Sequence, residues 1–583
     1  MTQEIKQCQN CKASFEIDAS DFNFYEKIQV PPPTWCPDCR QQRRYAWRNE
    51  RTLYRRKCDL CERNIIAIYS QNKPFKVYCP ECWWSDKWDP LSYSREFNFS
   101  GNFLEEWRKL QLEVPRISLL NKNNVNSEYI HHSGNSKNCY FSFSVFDAEN
   151  ILYSNNVYMG AKDCCDCYHI EEGNNLLYEC IDTHKSYRCE FGLVLRDCNE
   201  CLYCYDCRGC TNCFLSSNLR NKSHYIENQP YSKEEYFKKL KEYDLESYSG
   251  RKKVYDRFLE NIKLKALHKY AFIEKSVNVS GNMLFNSKNT HYSFDGTAIE
   301  DSKYSIVCPD VKNSMDSYHF GLKTELIYES HALVHSYNVS FTHLSYDNSH
   351  LSYCDSCHNS ENLFGCVGVK GGKYCILNKQ YNPEEYKKLK EKIIEHMKQT
   401  KEYGEFFPPQ FSPFGYNETQ GQVYMPLENK EVAIRAGWKW EDEISSGTFG
   451  KETLKPEDIP DSIAQTQDSI LEQILKCVDC NKNYRIVKDE LTFYRREKIP
   501  IPRICPDCRY KKRISLRAPR KLWERNCACQ EEQSANRKVQ GVYQNTAEHF
   551  HGQNPCPNKF ETSFAPDRSE TVYCEACYNS EVV

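Results

Sequence analysis

Sixteen cysteines, eight near each end of the chain, are the residues best placed to do chemistry. Cys8, Cys11, Cys36, Cys39, Cys58, Cys61, Cys79 and Cys82 form the first set, and Cys477, Cys480, Cys505, Cys508, Cys527, Cys556, Cys574 and Cys577 form the second. The spacing is the same in both sets. Twenty-four residues separate Cys11 from Cys36 and Cys480 from Cys505, 18 separate Cys39 from Cys58 and Cys508 from Cys527, and 17 separate Cys61 from Cys79 and Cys556 from Cys574. A CxxC turn lets two thiolates reach one ion, and two such turns complete a closed tetrahedral shell. Each set therefore predicts two sites: Cys8/Cys11/Cys36/Cys39 with Cys58/Cys61/Cys79/Cys82, and Cys477/Cys480/Cys505/Cys508 with Cys527/Cys556/Cys574/Cys577. Zinc is the expected ion, about four per chain with room for more, although four thiolates also suit iron.

The last site has a split first knuckle. The insertion 528–555 lies between Cys527 and Cys556, and Cys529 could replace Cys527. His549 and His551 also lie in the insertion and read as solvated loop residues. A closed thiolate shell leaves no position for substrate, so these sites predict structure rather than catalysis, with on the order of 10 kcal/mol per ion to fold modules that lack a core of their own.

These ions need scaffolding, and 583 residues supply several domains. The reading is a mainly β, multi-domain chain with a few connecting helices. Its parts are a double zinc module at 1–90, a first β-solenoid-like region with a terminal helix at 91–245, and a second with its helices at 246–400. An aromatic, proline-rich strap and linker at 401–460 and a helix with the second zinc module at 461–583 complete it. The two middle regions are a duplication, visible in NKSHYIENQPYSKEEYFKKLKEY (221–243) against GGKYCILNKQYNPEEYKKLKEKI (371–393). Their Asn, Ser and Tyr recur in units of roughly ten residues, two of which would close a coil of roughly 20. Helices are predicted at Leu104 to Leu112, after the capping box Ser232/Glu235, over 252–268, after Asn382-Pro383, and near 462–475. Prolines make the strap GEFFPPQFSPFGYNET (404–419) an extended segment packing across the repeats.

The segments CQNCKASFEIDASDFNFYEKIQVPPPTWCPDCRQQRR (8–44) and CVDCNKNYRIVKDELTFYRREKIPIPRICPDCRYKKR (477–513) resemble the zinc-ribbon, treble-clef-type domain of many bacterial proteins. With the middle copies and the strap, nearly the whole chain resembles uncharacterised multi-zinc proteins of Candidate Phyla Radiation bacteria. That resemblance implies the arrangement and the zinc, and no activity.

A cationic run follows the second knuckle at each end, 40–57 and 509–525, each of net charge +7 in a chain of net charge −2. Arg40, Arg43, Arg44 and Arg48, with Trp47 among them, and Arg509, Lys512, Arg513 and Arg517 are candidates for nucleic-acid phosphate and base stacking. The same arginines could instead dock each module onto the acidic remainder. In the middle, Cys198, Cys201, Cys204, Cys207, Cys210 and Cys213 recur at period three, either as an inward thiol stack or as a further metal site.

Among enzymes, a carbohydrate-active β-solenoid is the alternative, with His319, His331, His335, His343, His350 and His358 at hand. No pair is singled out by a motif, and no P-loop, GxSxG or HExxH occurs. The expectation is a non-enzymatic binding or scaffold protein with a nucleic-acid or protein partner, or a protein scaffold without nucleic acid. CxxC pairs without an apolar leader favour reduced thiols in the cytoplasm, and no membrane span is expected. The oligomeric state is left open.

Overall fold

The computed structural model describes residues 3–319, 321–444, 447–529, 543–552 and 554–583. Half of the insertion 528–555, residues 530–542 and 553, thus lies outside the described residues. Strands outnumber helices, and the chain divides into two compact units that cross the sequential boundaries. One unit joins residues 1–119 to 271–444 and 520–522, and the other joins 120–270 to 445–519 and 523–583. The N-terminal module therefore belongs with the second repeat region, and the C-terminal module with the first.

Both repeat regions are ladders of short parallel strands. Bridges join Val125 to Lys137, Lys137 to Glu149, Tyr187 to Asn199 and Asn199 to Thr211, each a step of 12 residues. The second region pairs Tyr337 with Ser349 and Ser349 with Glu361 at the same step. The repeat is thus 12 residues rather than roughly 20.

Its local cause is a left-handed residue at every third position, from Asn123 through Asn126 and Tyr129 onward, and likewise from Asn286 through Asn289 and Tyr292. Asn and Asp tolerate that conformation best. They also link successive turns, as in Asn126 Nδ2 to Asn138 Oδ1 at 2.8 Å and Asn138 Nδ2 to Asn150 Oδ1 at 2.9 Å. The step lengthens to 13 where Gly160 and Gly173 follow Met159 and Glu172 with a second consecutive positive φ, which glycine adopts without strain.

Small aliphatic and thiol side chains fill the interiors, with Ile151, Val157, Ile170, Leu177 and the period-three cysteines in the first ladder. Leu333, Val339, Leu351 and Leu363 pack with Cys354, Cys357 and Cys366 in the second.

Most predicted helices form: Phe103–Glu113, Lys233–Leu240 behind the Ser232/Glu235 capping box, Tyr248–Glu260, and Pro383–Gln399 behind Asn382. The helix expected near 462–475 does not. Only the short 3-10 turns Ile463–Gln465 and Asp468–Glu472 appear. Contacts from other elements hold this stretch and its approach: Arg503 Nη2 donates to the Ile459 carbonyl and Tyr248 N to that of Asp461 just before it, and Arg495 Nη2 donates to that of Thr466 within it.

The strap packs mainly on the N-terminal module and the Phe103–Glu113 helix, with Tyr353 its contact among the repeats. It is broken by 3-10 turns at Pro409–Phe411 and Tyr416–Glu418 rather than extended throughout. Phe407 stacks on Trp107 at 3.9 Å between centroids and contacts Trp47 at 5.1 Å, while Phe414 stacks on Tyr69 at 5.3 Å. At its start the Gly404 amide donates to Tyr353 Oη at 2.9 Å. Gly404 has a φ of +92°, and a Cβ there would lie 2.3 Å from Pro31 Cγ, so no other residue fits without displacing the loop.

Candidate metal centres

All four sites are built alike. A short hairpin, Glu4–Gln7 with Ser14–Ile17 in the first, carries two thiols in its turn. A left-handed residue directly after the second thiol (Lys12, Glu62 or Asn481) turns the chain back in three of them. The third cysteine stands at the N-cap position of a helix whose first turn holds the fourth: Cys36 before Pro37–Tyr45, Cys79 before Pro80–Trp84, Cys505 before Pro506–Ser515 and Cys574 before Glu575–Val582.

The capping residue's amide donates back to the first thiol at nearly constant distance. Cys36 N lies 3.1 Å from Cys8 Sγ, and the pairs Cys79–Cys58, Cys505–Cys477 and Cys574–Cys527 are each 3.2 Å. Such bonds favour thiolate. Burial alone would raise the Cys8 thiol, but the amides of Cys36, Cys11 and Asn10 outweigh it and bring it down to about 7.

The first three quartets each bring four sulfurs within 4.8 Å of one another. Cys11 to Cys36 is 3.6 Å, Cys61 to Cys79 is 3.9 Å, and Cys480 to Cys505 is 3.7 Å. A tetrahedron with metal–sulfur bonds of about 2.3 Å has edges of roughly 3.8 Å, whereas a disulfide would hold its sulfurs at about 2.05 Å. All 34 cysteines are free thiols. The donor set and spacing therefore fit a structural metal ion.

The fourth site keeps this frame despite its insertion. Cys527 N donates to the Asn558 carbonyl, the bond that Cys8 N makes to Ala13. Cys556 lies 3.9 Å from Cys574 and 3.7 Å from Cys577. Cys529 joins the same cluster, as do His549 and His551.

No protein-family model matches the chain, and no curated protein or solved structure matches it.

In the basic segments the arginines nearest the knuckles face inward, while Arg55, Lys57, Lys511, Lys512 and Lys521 are exposed. Arg40 Nε meets Asp316 at 2.9 Å, Arg44 Nη2 meets the other oxygen of Asp316 at 2.9 Å, and Arg43 Nη2 meets Glu329 at 2.9 Å, all on nearly inaccessible side chains. The C-terminal module repeats the arrangement, with Arg509 Nε on Asp166 at 2.9 Å and Arg513 Nη1 on Asp166 at 2.8 Å and Glu179 at 2.9 Å. Asp166 and Glu179, like Asp316 and Glu329, are left-handed ladder residues one 13-residue turn apart.

Arg48 is buried against Glu50, His319 and His331, and Arg517 reaches Asp182 at 2.9 Å. Of the eight residues read as nucleic-acid candidates, Lys512 alone is largely exposed, beside Asp479. The aromatic pair of each module seats on the same ladder position. Phe24 and Tyr25 lie 6.0 and 5.5 Å from Tyr328, and Phe493 and Tyr494 lie 6.2 and 6.1 Å from Tyr178.

The period-three cysteines point into the first ladder. Each thiol donates to the carbonyl two residues back, and most also to the one nine ahead: Cys198 to Arg196 and Cys207, Cys201 to Asn199 and Cys210, and Cys204 to Leu202 and Cys213. Ser136 makes the same pair of bonds, to Gly134 and Val145. Cysteine therefore fills an inward position that serine also fills. Of the ladder histidines, His319, His331, His343 and His358 are buried, the last two against Trp47 and Trp83, so they do not line an open face.

One buried histidine has a consequence for stability. His169 Nδ1 lies 2.7 Å from Asp182, and Nε2 lies 3.5 Å from Glu171. Burial alone would lower its pKa, but the two carboxylates outweigh it and raise it to about 10 from 6.5. A folded value above the unfolded one means the stabilisation is complete below about pH 6.5 and fades as pH rises toward 10. The stability gap between wild type and His169→Gln, measured by denaturant unfolding, is expected to be a few kcal/mol near pH 6.5 and to shrink toward pH 10. A gap independent of pH would refute this.

Proposed function

We propose that this chain is a non-enzymatic, zinc-stapled scaffold that presents its surface to a protein partner. In this reading the two ladders are β-solenoids with 12-residue coils of four three-residue sides, and the terminal modules are treble-clef-type zinc domains. The observation that carries it is the burial of the post-knuckle arginines in ion pairs with Asp316, Glu329, Asp166 and Glu179. Those guanidinium groups fasten each module to its own unit, and a phosphate could reach them only by breaking a buried network. Four closed thiolate shells support structure over catalysis at the metal, and the burial of four ladder histidines supports a binding role over glycoside chemistry. Thirty-four free thiols fit a reducing compartment such as the cytoplasm. The resemblance to multi-zinc bacterial proteins rests on the same knuckles and strap.

The test is fluorescence anisotropy with labelled single-stranded RNA and duplex DNA at low salt. The expected result is no saturable binding, and Arg43→Glu is expected to lower stability without changing that signal. Tight binding that falls steeply with salt and is lost in Arg43→Glu and Arg513→Glu would overturn the proposal in favour of nucleic acid.

A further inference from the structure

The fourth metal site has more donors than one ion can use. Cys527, Cys556, Cys574 and Cys577 match the quartets of the other three sites by position and by the amide bond onto the first thiol. Cys529, His549, His551 and Cys577 form a second group whose ligand atoms all lie within 4.8 Å of one another. Cys577 belongs to both, and Cys529 also lies within 4.8 Å of Cys527 and Cys556. His551 Nε2 lies 3.3 Å from Cys529 Sγ and 3.4 Å from Cys577 Sγ, close to the roughly 3.5 Å edge of a tetrahedron with bonds of about 2.0 Å to nitrogen and 2.3 Å to sulfur.

His549 is oriented as a metal ligand would be. Its Nε2 is held 2.8 Å from Glu581 Oε1, and both side chains are almost wholly buried. Its other nitrogen, Nδ1, is buried and has no hydrogen-bond partner among the described residues. A carboxylate on one imidazole nitrogen fixes the tautomer and leaves the other free to ligate. Glu581 is itself held, since it accepts from Tyr543 Oη, from the Thr546 amide and hydroxyl, and from the Ala547 amide. This network orders the stretch that carries the two histidines.

We propose that the fourth site is binuclear: one ion on Cys527, Cys556, Cys574 and Cys577, and a second on Cys529, His549 and His551, with the Cys577 thiolate bridging the two. Seven donors with one shared fill two tetrahedra. The insertion that splits the knuckle thus supplies the second ion's ligands. The inference rests on the reading of the quartets as zinc sites.

The test counts metal per chain by elemental analysis and native mass spectrometry in wild type, His549→Ala/His551→Ala and His551→Cys. The double variant is expected to hold one ion fewer than wild type, and His551→Cys, which restores a donor, to match wild type. In the cobalt-substituted protein, thiolate bridging couples two high-spin ions, so the spin signal per cobalt at this site is expected to rise when the second ion is lost. Equal counts in wild type and the double variant, with at least four ions in each, would overturn the binuclear site and leave the quartets standing. Fewer than four ions in wild type would overturn both.

Discussion

Stripping the metal with a high-affinity chelator is expected to unfold the knuckles while the ladders keep their amide protection. The apolar cluster around the first site is little more than its own ligands, Cys8, Cys36 and Cys39, with Phe15 and Trp35 packed against them. At the fourth site Cys527, Cys529, Cys574 and Cys577 supply half of the buried cluster. Without an ion those segments keep too little buried surface to offset their chain entropy, and on the order of 10 kcal/mol per site is lost. The ladders have aliphatic and thiol interiors that need no ion of this kind. Hydrogen exchange should therefore show amides in 4–17 of the first site and 559–562 of the fourth reaching unprotected rates after chelation, with 187–214 and 337–364 still slow. Persistent protection in the knuckles after complete metal removal would mean that packing alone holds them.

The second large effect is expected at Asp316. Its carboxylate, with no accessible side-chain surface, faces both Arg40 and Arg44. Asp316→Asn keeps the shape but leaves buried guanidinium charge short of a partner, a loss that typically costs about 3–5 kcal/mol. The exposed pair Lys373–Glu361 is the control, because Glu361→Gln should change stability by less than about 1 kcal/mol. Asp166→Asn, which faces Arg509 and Arg513, is expected to match Asp316→Asn. Denaturant unfolding of the three variants decides the matter. Equal, small effects would show that the arginine–carboxylate contacts do not fasten the modules.

These two predictions draw on parts of the molecule that were unequally legible in the sequence. The quartets could be read directly, because metal geometry forces spacing and spacing is visible in a linear chain. Asn382-Pro383 and Ser232/Glu235 announced their helices for similarly local reasons. The 12-residue repeat was hidden. Its defining feature is a backbone conformation at every third residue, and Tyr, Leu and His occupy those positions alongside Asn and Asp. Extra residues at Gly160 and Gly173 shift the frame further.

The partners of the basic segments were hidden by distance, since Arg40 meets a carboxylate 276 residues away. Charge showed in the sequence, but burial did not. His549 and His551 were readable as an HxH pair beside the CxC of Cys527 and Cys529. Their loop setting masked them, and Glu581, 32 residues on, gives the His549 ring its orientation.

Zinc content of the purified, reduced chain is the most direct measurement of the central claim, that ions clasped by matched sulfurs hold both terminal modules in shape. At least four zinc ions per chain are expected, with the sixteen knuckle thiols blocked from alkylation until the metal is removed. Fewer than four ions, or disulfides joining those sulfurs, would contradict it.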